Sequence, residues 1–136
     1  MELKQAVGVV IFNSTGQILL CQRGGGVDSN KGNWENAGGR VEPGETPEQT
    51  AIREVKEEVN IDARIEDLEL LFSSKSTDDL NRTWEVFIFK LITDQVPTIM
   101  EPQKCSQLKW VNKEDLKNMD LAEYAREDYI KLGWIN

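Results

Sequence analysis

The sequence predicts a mixed α/β (α+β) fold in which strands surround one central helix and further helices close the chain. Lys4 to Phe12 and Thr83 to Ile92 are rich in β-branched and aromatic residues, which is typical of strands. Between them, Thr46 to Val59 combines a helix start signal with helical spacing of its apolar residues. A chain of 136 residues is long enough for one core, so we expect a single domain over residues 1–136.

The first third of the chain reads as a hairpin followed by a loop. Lys4 to Phe12 is the first strand, and a turn containing Gly16 leads to a second strand at Gln17 to Arg23. The glycine-rich stretch 24–33 lacks the spacing of a phosphate-binding P-loop, so we interpret it as a flexible connection. Trp34 to Ala37 is then predicted to be a short strand that leads into two glycines.

The second half predicts further strands and two closing helices. After the central helix, we expect strands within Ala63 to Ser74, at Thr83 to Ile92 and at Leu108 to Val111, then a helix from Lys113 to about Asn118 capped by Asn112, and a last helix from Leu121 to about Leu132. No internal repeat or low-complexity tract interrupts this order.

Charge and composition exclude several classes of protein. The net charge of −8 leaves no basic surface for a nucleic acid polymer or an acidic membrane. No apolar stretch reaches transmembrane length, and no signal peptide pattern is present. Two cysteines, Cys21 and Cys105, are too few for a disulfide scaffold, so we expect each to be a small core residue in a reducing compartment. These observations predict a cytoplasmic protein.

The chain contains no histidine. This absence excludes mechanisms that use an imidazole base or a histidine-ligated zinc ion. A hydrolase built on this sequence has to rely on carboxylates and hard cations.

The central helix is the most informative segment. Thr46 and Gln49 form a capping box, and Pro47 occupies the first helical position, where its missing N–H is not needed. Ala51, Ile52, Val55 and Val59 form an apolar stripe that should face the core, and Asn60 suits the left-handed position that ends a helix.

Glu54, Glu57 and Glu58 are spaced so that their carboxylates share another face of this helix. A solvated acidic face is the ordinary explanation for such a group. However, adjacent like charges destabilise a helix, and only Arg53 and Lys56 offset them. The three carboxylates are therefore also candidate ligands of one ion.

The segment from Gly39 to Ile61, GRVEPGETPEQTAIREVKEEVNI, resembles the signature of the Nudix hydrolases. The family's spacing is matched by Gly39, Glu45, the REVKEE run from Arg53 to Glu58, and the apolar Ile61. Asn60 replaces a glycine at the helix end. Met100 to Cys105 followed by Trp110 is also similar to the late segment of the nucleoside triphosphate, MutT-like branch. The resemblance implies an α/β/α sandwich around a mixed sheet.

The resemblance also implies a metal-dependent hydrolase. Glu54, Glu57, Glu58 and the carbonyl of Gly38 supply oxygen ligands suited to Mg²⁺ or Mn²⁺. Glu54 or Glu57 is the candidate general base, and charge alone does not choose between them. Arg53 completes the candidate catalytic group, and Glu45 is expected either to pair with Arg53 or to add a ligand.

Four residues are candidates for binding a small nucleotide substrate: Arg23, Trp34, Gly39 and Glu101. By position alone Arg23 is either a phosphate ligand or a surface cation, and the resemblance favours the first. Trp34, like Trp84, Phe87 and Trp110, is a candidate for stacking on a base, although a buried aromatic residue is more often structural.

The predicted reaction is hydrolysis of a nucleoside triphosphate, ordinary or modified, to the monophosphate and pyrophosphate. The alternatives within the family are ADP-ribose or dinucleoside polyphosphates as substrates, and an inactive nucleotide-binding module. A docking face for a protein is the least favoured interpretation of the acidic helix. Composition does not indicate an oligomeric state.

Overall fold

The computed structural model describes residues 3–136, which form a seven-stranded sheet flanked by helices. The strands are β1 (Leu3–Phe12), β2 (Ile18–Arg23), β3 (Trp34–Glu35), β4 (Ala37–Arg40), β5 (Leu68–Thr77), β6 (Thr83–Ile92) and β7 (Cys105–Val111). The helices are α1 (Pro47–Val59) and α2 (Glu123–Lys131), and short 3₁₀ turns span Ile65–Asp67 and Lys113–Asn118.

The sheet is mixed, as predicted, and strand β1 lies at its centre. It runs parallel to β6 over its whole length, from Leu3 opposite Thr83 to Phe12 opposite Ile92. Its other edge is divided, because β4 pairs antiparallel with residues 6–9 and β2 pairs only at Phe12. Strands β3 and β7 extend the sheet from β2, and β5 extends it from β6. The divided edge brings β2, β3 and β4 close together beside α1.

Two apolar layers cover the two faces of this sheet, which confirms the predicted α/β/α sandwich. On one face, Ala51, Val55 and Val59 of α1 pack with Val9 and other residues of β1 and β6. On the opposite face lie the buried side chains of α2 and the preceding 3₁₀ turn, including Leu116, Ala125 and Tyr129. Alternate residues of β1 thus serve different layers, since successive side chains of a strand point to opposite faces.

The closing helices differ in detail from the sequence prediction. The segment Lys113–Asn118 is a 3₁₀ helix, and Asn112 makes no side-chain capping bond. Helix α2 begins at Glu123 because Leu121 instead forms an isolated bridge with Trp34. Among the described residues, no helix is long and apolar enough to cross a membrane.

The two cysteines also differ from expectation. Cys21 and Cys105 are joined as a disulfide, with 5.8 Å between their Cα atoms, and are therefore not separate core thiols. They lie 84 positions apart in the sequence, so their pairing depends on the antiparallel contact between β2 and β7. Sequence spacing alone contains no information about that contact.

Candidate active site

Helix α1 has the ends that its sequence predicts. The Thr46 hydroxyl accepts from the N–H of Gln49 at 3.2 Å, and the Gln49 side chain accepts from the N–H of Thr46 at 2.9 Å. Asn60 ends the helix in the left-handed conformation, with φ 57°. Because Ala51 and Val55 are fully buried against the sheet, the glutamate-bearing face turns toward the loops that follow β4 and β6.

Arg53 organises the acidic residues of this face. Its Nε and Nη2 donate to the two carboxylate oxygens of Glu45 at 2.8 and 3.0 Å. Its Nη1 donates to Glu54 at 2.7 Å and to Glu57 at 3.2 Å, and Nη2 also reaches the carbonyl of Arg40 at 3.0 Å. Hydrogen bonds from Arg53 lower the pKa of Glu45 to about 2, and the same pairing raises the pKa of Arg53.

Glu58 is the most perturbed acid of the site. Burial raises its pKa to about 9, and the nearby charge of Glu54 adds to this effect. The backbone N–H of Gly38 donates to Glu58 Oε2 at 3.0 Å and partly opposes the shift. The pKa of Glu54 is also raised, mainly by burial, and the two carboxyls are hydrogen-bonded to each other. Two buried carboxyls this close require either a shared proton or a cation between them.

The glycines of β4 permit this close packing. A Cβ added to Gly39 would lie 2.5 Å from the Glu54 carboxyl carbon and from its Oε1 atom. A Cβ on Gly38 would collide with the Val7 carbonyl of the adjacent strand. Any larger residue at either position would therefore displace the glutamates or the sheet.

The donor set fits a hard divalent cation, although it is not already arranged as a ligand shell. Within residues 3–136, no three acidic, cysteine or histidine side chains converge closely enough to hold an ion as they stand. Arg53 occupies oxygens of Glu54 and Glu57, while Glu54 and Glu58 contact each other. Carboxylate and carbonyl oxygens are nevertheless the ligands that Mg²⁺ and Mn²⁺ prefer, and a cation would relieve the Glu54–Glu58 repulsion.

A cavity of about 550 Å³ opens beside Glu58 and extends over the strands β2, β3 and β4. This volume is within the range of small-molecule sites. Of the residues that the sequence singled out, the cavity is lined by Arg23, Gly38, Glu58 and Glu101. It is not lined by Trp34, Gly39, Arg53, Glu54 or Glu57. Glu54 nevertheless contacts Glu58, and Gly39 and Arg53 contact Glu54 in turn.

Trp34 lies on the other side of the sheet from α1. It packs against the apolar layer that contains α2 and bridges Leu121. The stacking of Trp34 on a base remains a prediction. Its packing against the α2 layer is enough to explain why it is partly buried.

The loop before β7 carries Glu101 to the cavity. The N–H groups of Thr98 and Met100 donate to the carbonyls of Val59 and Glu58 at 2.9 and 3.2 Å, which fastens this loop to the end of α1. Glu101 then pairs with Lys104, whose Nζ lies 3.4 Å from its carboxylate. Both side chains line the cavity.

Arg23 belongs to a cluster that the sequence did not predict. Its Nη1 donates to Glu35 at 2.8 Å and to the Tyr124 hydroxyl at 3.2 Å, and Nε donates to the Ser29 carbonyl at 2.9 Å. Tyr124 in turn donates to Glu35. Tyr124 comes from α2, 89 positions after Glu35, and nothing in its local sequence marks it as a partner.

Asn36 and Arg40 also line the cavity and were not singled out. Asn36 separates β3 from β4, where the sequence predicted one continuous strand. Arg40 lies 5.0 Å from the ring centre of Trp84. The sequence did contain a signal for Arg40, because this cation directly follows Gly38 and Gly39.

Comparisons with known proteins show the family to which this fold belongs. The NUDIX domain family matches residues 2–132. The chain is 45% identical over 69 residues to the RNA pyrophosphohydrolase of Pseudoalteromonas translucida, which covers 51% of this chain but only 36% of that protein. It is 27% identical over 133 residues to the nucleoside triphosphatase NudI of an Enterobacter species, covering 90% and 92% of the two chains.

Among solved structures, a MutT NUDIX hydrolase from Burkholderia pseudomallei superimposes with a TM-score of 0.80 at 25% identity, and all of both chains is covered. The family match extends over nearly the whole sequence, and the fold agrees from end to end. The chain therefore belongs to the Nudix family.

Proposed function

We propose that this chain is a Mg²⁺- or Mn²⁺-dependent hydrolase that converts a nucleoside triphosphate to the monophosphate and pyrophosphate. One observation carries the proposal: Glu58, half of a buried carboxyl pair, lines a nucleotide-sized cavity beside Gly38. A buried acidic pair at a cavity wall is costly unless a ligand or ion uses it.

Different residues of the chain would bind the cation, position its ligands and accept a proton. Glu54, Glu57, Glu58 and the Gly38 carbonyl would hold the cation, and Arg53 keeps the first two glutamates in place through its Nη1 contacts. A bound divalent cation supplies positive charge against the phosphates and lowers the pKa of water. Either Glu54 or Glu57 then accepts the proton of the attacking water, and Arg53 stabilises the carboxylate that does not.

Cations around the cavity support a polyphosphate substrate. Arg23, Arg40 and Lys104 line it beside the acidic residues Asp28, Glu35, Glu58 and Glu101. Three cations are thus available to contact phosphates, and the charge of a divalent ion would offset the acidic residues of the same wall. The buried side chains of Ile11 and Leu19 form an apolar wall for a flat nucleobase. The Enterobacter relative, which matches this chain over nearly the full length of both proteins, is named a nucleoside triphosphatase. This name favours a triphosphate as the substrate.

The proposed setting is the cytoplasm, where free nucleoside triphosphates are available, and the proposed partner is a small nucleotide. The acidic surface argues against binding along a nucleic acid polymer, because that binding depends on lysine and arginine contacts to phosphates.

A substrate panel tests the proposal. Purified protein would be incubated with ribo- and deoxynucleoside triphosphates, oxidised and methylated deoxynucleotides, ADP-ribose, a dinucleoside tetraphosphate and a 5′-triphosphorylated RNA, each with Mg²⁺, Mn²⁺ or chelator. Pyrophosphate and orthophosphate would be measured separately, with the E57Q variant as control. We expect pyrophosphate from triphosphates only when metal is present, with a rate that rises toward alkaline pH because no imidazole titrates near 7.

Two results would contradict the substrate assignment. Release of orthophosphate and diphosphate would show a different bond being cleaved. A clear preference for ADP-ribose, the tetraphosphate or RNA would place the chain in another branch of the same family.

A further inference from the structure

Asn36 occupies a break between two strands at the wall of the cavity. Strand β3 ends at Glu35 in contact with β2, and β4 begins at Ala37 in contact with β1. Asn36 lies between these pairings and lines the cavity, where the apolar walls formed by Ile11 and Leu19 are also found. Asn36 adds a neutral amide to a wall that carries both apolar and charged side chains. Small-molecule sites use a few such placed polar groups to fix the orientation of a ligand.

The orientation of this amide is set from inside the protein. The hydroxyl of Tyr129, a fully buried residue of α2, donates to Asn36 Oδ1 at 2.5 Å. Burial raises the pKa of Tyr129, so the phenol keeps its proton and acts as the donor. Among residues 3–136 the hydroxyl has no other hydrogen-bond acceptor. Rotating the amide by 180° would leave the buried hydroxyl proton without an acceptor, which costs free energy.

Because Oδ1 is held by Tyr129, the amide nitrogen of Asn36 is the group left for a ligand. It makes no hydrogen bond to any residue that the structure describes. Its two N–H bonds can donate and cannot accept. The cavity wall therefore presents a fixed donor.

We propose that Asn36 selects nucleobases that carry a keto oxygen over those that carry an amino group at the same ring position. This inference rests on the proposed function and adds the substrate preference of the same cavity. A keto oxygen accepts from the amide nitrogen, whereas an amino group would set donor against donor and leave both unpaired. Sites that hydrogen-bond a substrate group discriminate strongly against an analogue that cannot pair.

The position of Asn36 relative to the phosphates agrees with this role. Asn36 precedes Gly38, the proposed metal neighbour, by two residues, so their Cα atoms are at most about 7 Å apart. The base end of a nucleotide and its phosphate end would thus contact neighbouring positions of the chain. Arg40 lies at the far end of β4 from Asn36.

Pairs of nucleotides that differ in this substituent and in the protonation of the adjacent ring nitrogen give a direct test, because only the substituent is proposed to face Asn36. We would measure kcat/KM for UTP against CTP and for ITP against ATP with Mg²⁺. In the wild-type chain we expect the keto member of at least one pair to be preferred by roughly tenfold or more. N36D replaces the donor by an acceptor and should abolish or reverse that ratio, while N118D, an exposed change of the same kind, should leave it unchanged.

Tyr129→Phe separates orientation from simple presence of the amide. Without the hydroxyl, the Asn36 amide is free to rotate and present either its oxygen or its nitrogen. The keto-to-amino ratio should then move toward one while both substrates are still hydrolysed. A ratio that stays at the wild-type value in Y129F and N36D would overturn the proposal, as would a wild-type ratio near one for both pairs.

Measuring the binding of product monophosphates tests the role of Asn36 separately from the proposed reaction. Calorimetric titration with IMP against AMP, and with UMP against CMP, requires no turnover. If the wild-type chain hydrolyses no triphosphate but binds the keto monophosphates more tightly, the reaction is wrong and the role of Asn36 stands. If triphosphates are hydrolysed without any keto preference in rate or binding, the proposed function stands and the role of Asn36 fails.

Discussion

The backbone N–H of Gly38 donates to the carboxyl of Glu58 at 3.0 Å and thereby joins β4 to α1 across the wall of the cavity. This carboxyl is buried next to Glu54, and its pKa is raised to about 9. At neutral pH without a cation, Glu58 therefore carries a proton. A divalent ion at the same place would compete with that proton, so proton release should accompany metal binding.

E58Q should separate stability from activity. The amide imitates the protonated carboxyl, so the metal-free fold should lose little stability, while a metal ligand is removed. We expect turnover to fall by roughly 10²-fold or more and the Mg²⁺-dependent rise in Tm to disappear. E57Q should show a similar loss of turnover, because it removes another proposed ligand of the cation. The Glu57 side chain is exposed and paired with Arg53, so the fold should be little affected. Full activity in both variants would exclude this metal site.

The pH dependence of stability gives a second prediction for Glu58. Its folded pKa lies above the ordinary value of 4.5, so folding binds a proton between these values. The stabilisation is fully present below about 4.5 and is lost as pH rises through about 9, by up to about 1.4 kcal/mol per pH unit. Metal-free unfolding curves from pH 5 to 9 should show this decline in the wild-type chain and a flatter profile in E58Q. Equal slopes for the two proteins would contradict the assignment.

G39A should reduce activity through Glu54. The new Cβ would lie 2.5 Å from the carboxyl of that glutamate, so the side chain has to move. We expect a loss of turnover larger than the loss of stability, measured by kcat and by thermal unfolding of the same samples. G25A is the matched control, because a Cβ at Gly25 meets no atom within 4 Å. Equal turnover of the two variants would show that the glutamate does not need its present position.

The parts of the fold that depend on local chemistry were predictable from sequence. Helix α1 begins and ends at the predicted residues, since the Thr46 cap, Pro47 and Asn60 act within a few positions of themselves. The buried stripe of Ala51, Val55 and Val59 likewise follows from helical periodicity. The pairing of Arg53 with Glu45, one of two alternatives left open, is also present.

The parts that depend on distant segments were not predictable. Tyr124 and Tyr129 reach Glu35 and Asn36 from a helix some 90 positions later, and only the packing of α2 under the sheet brings them there. The same reason applies to the bond between Cys21 and Cys105. Asn36 was invisible in the sequence because a lone asparagine is ordinary in a loop and gains meaning only from its buried partner.

Substitutions at Asn60 test how the end of α1 supports the cavity. Asn60 has φ 57°, so N60G should change stability by less than about 1 kcal/mol. N60V should cost more, roughly 1 to 3 kcal/mol, because a β-branched residue is strained at positive φ. Chemical denaturation measures both. Because the loop before β7, which carries Glu101, is hydrogen-bonded to Val59 and Glu58, N60V should also weaken substrate binding, seen as a higher KM. Equal stability of the two variants would contradict this account of the helix end.

Asp128 should destabilise the protein at neutral pH. Its carboxylate lies half-buried on α2, and burial raises its pKa to about 6. The folded pKa exceeds the ordinary value of 3.8, so the associated stability is present below that value and is lost as pH rises through about 6. Asp128→Asn should therefore raise the free energy of unfolding at pH 7.5 by roughly 1 to 2 kcal/mol, a figure reduced for the partial exposure of the group. At pH 4 the gain should vanish, because the wild-type carboxyl is then protonated in the folded state.

D79N, a change in an exposed turn, is the control and should show no such difference between the two pH values. A gain for D128N that is the same at pH 4 and 7.5 would mean that shape, and not charge, is responsible.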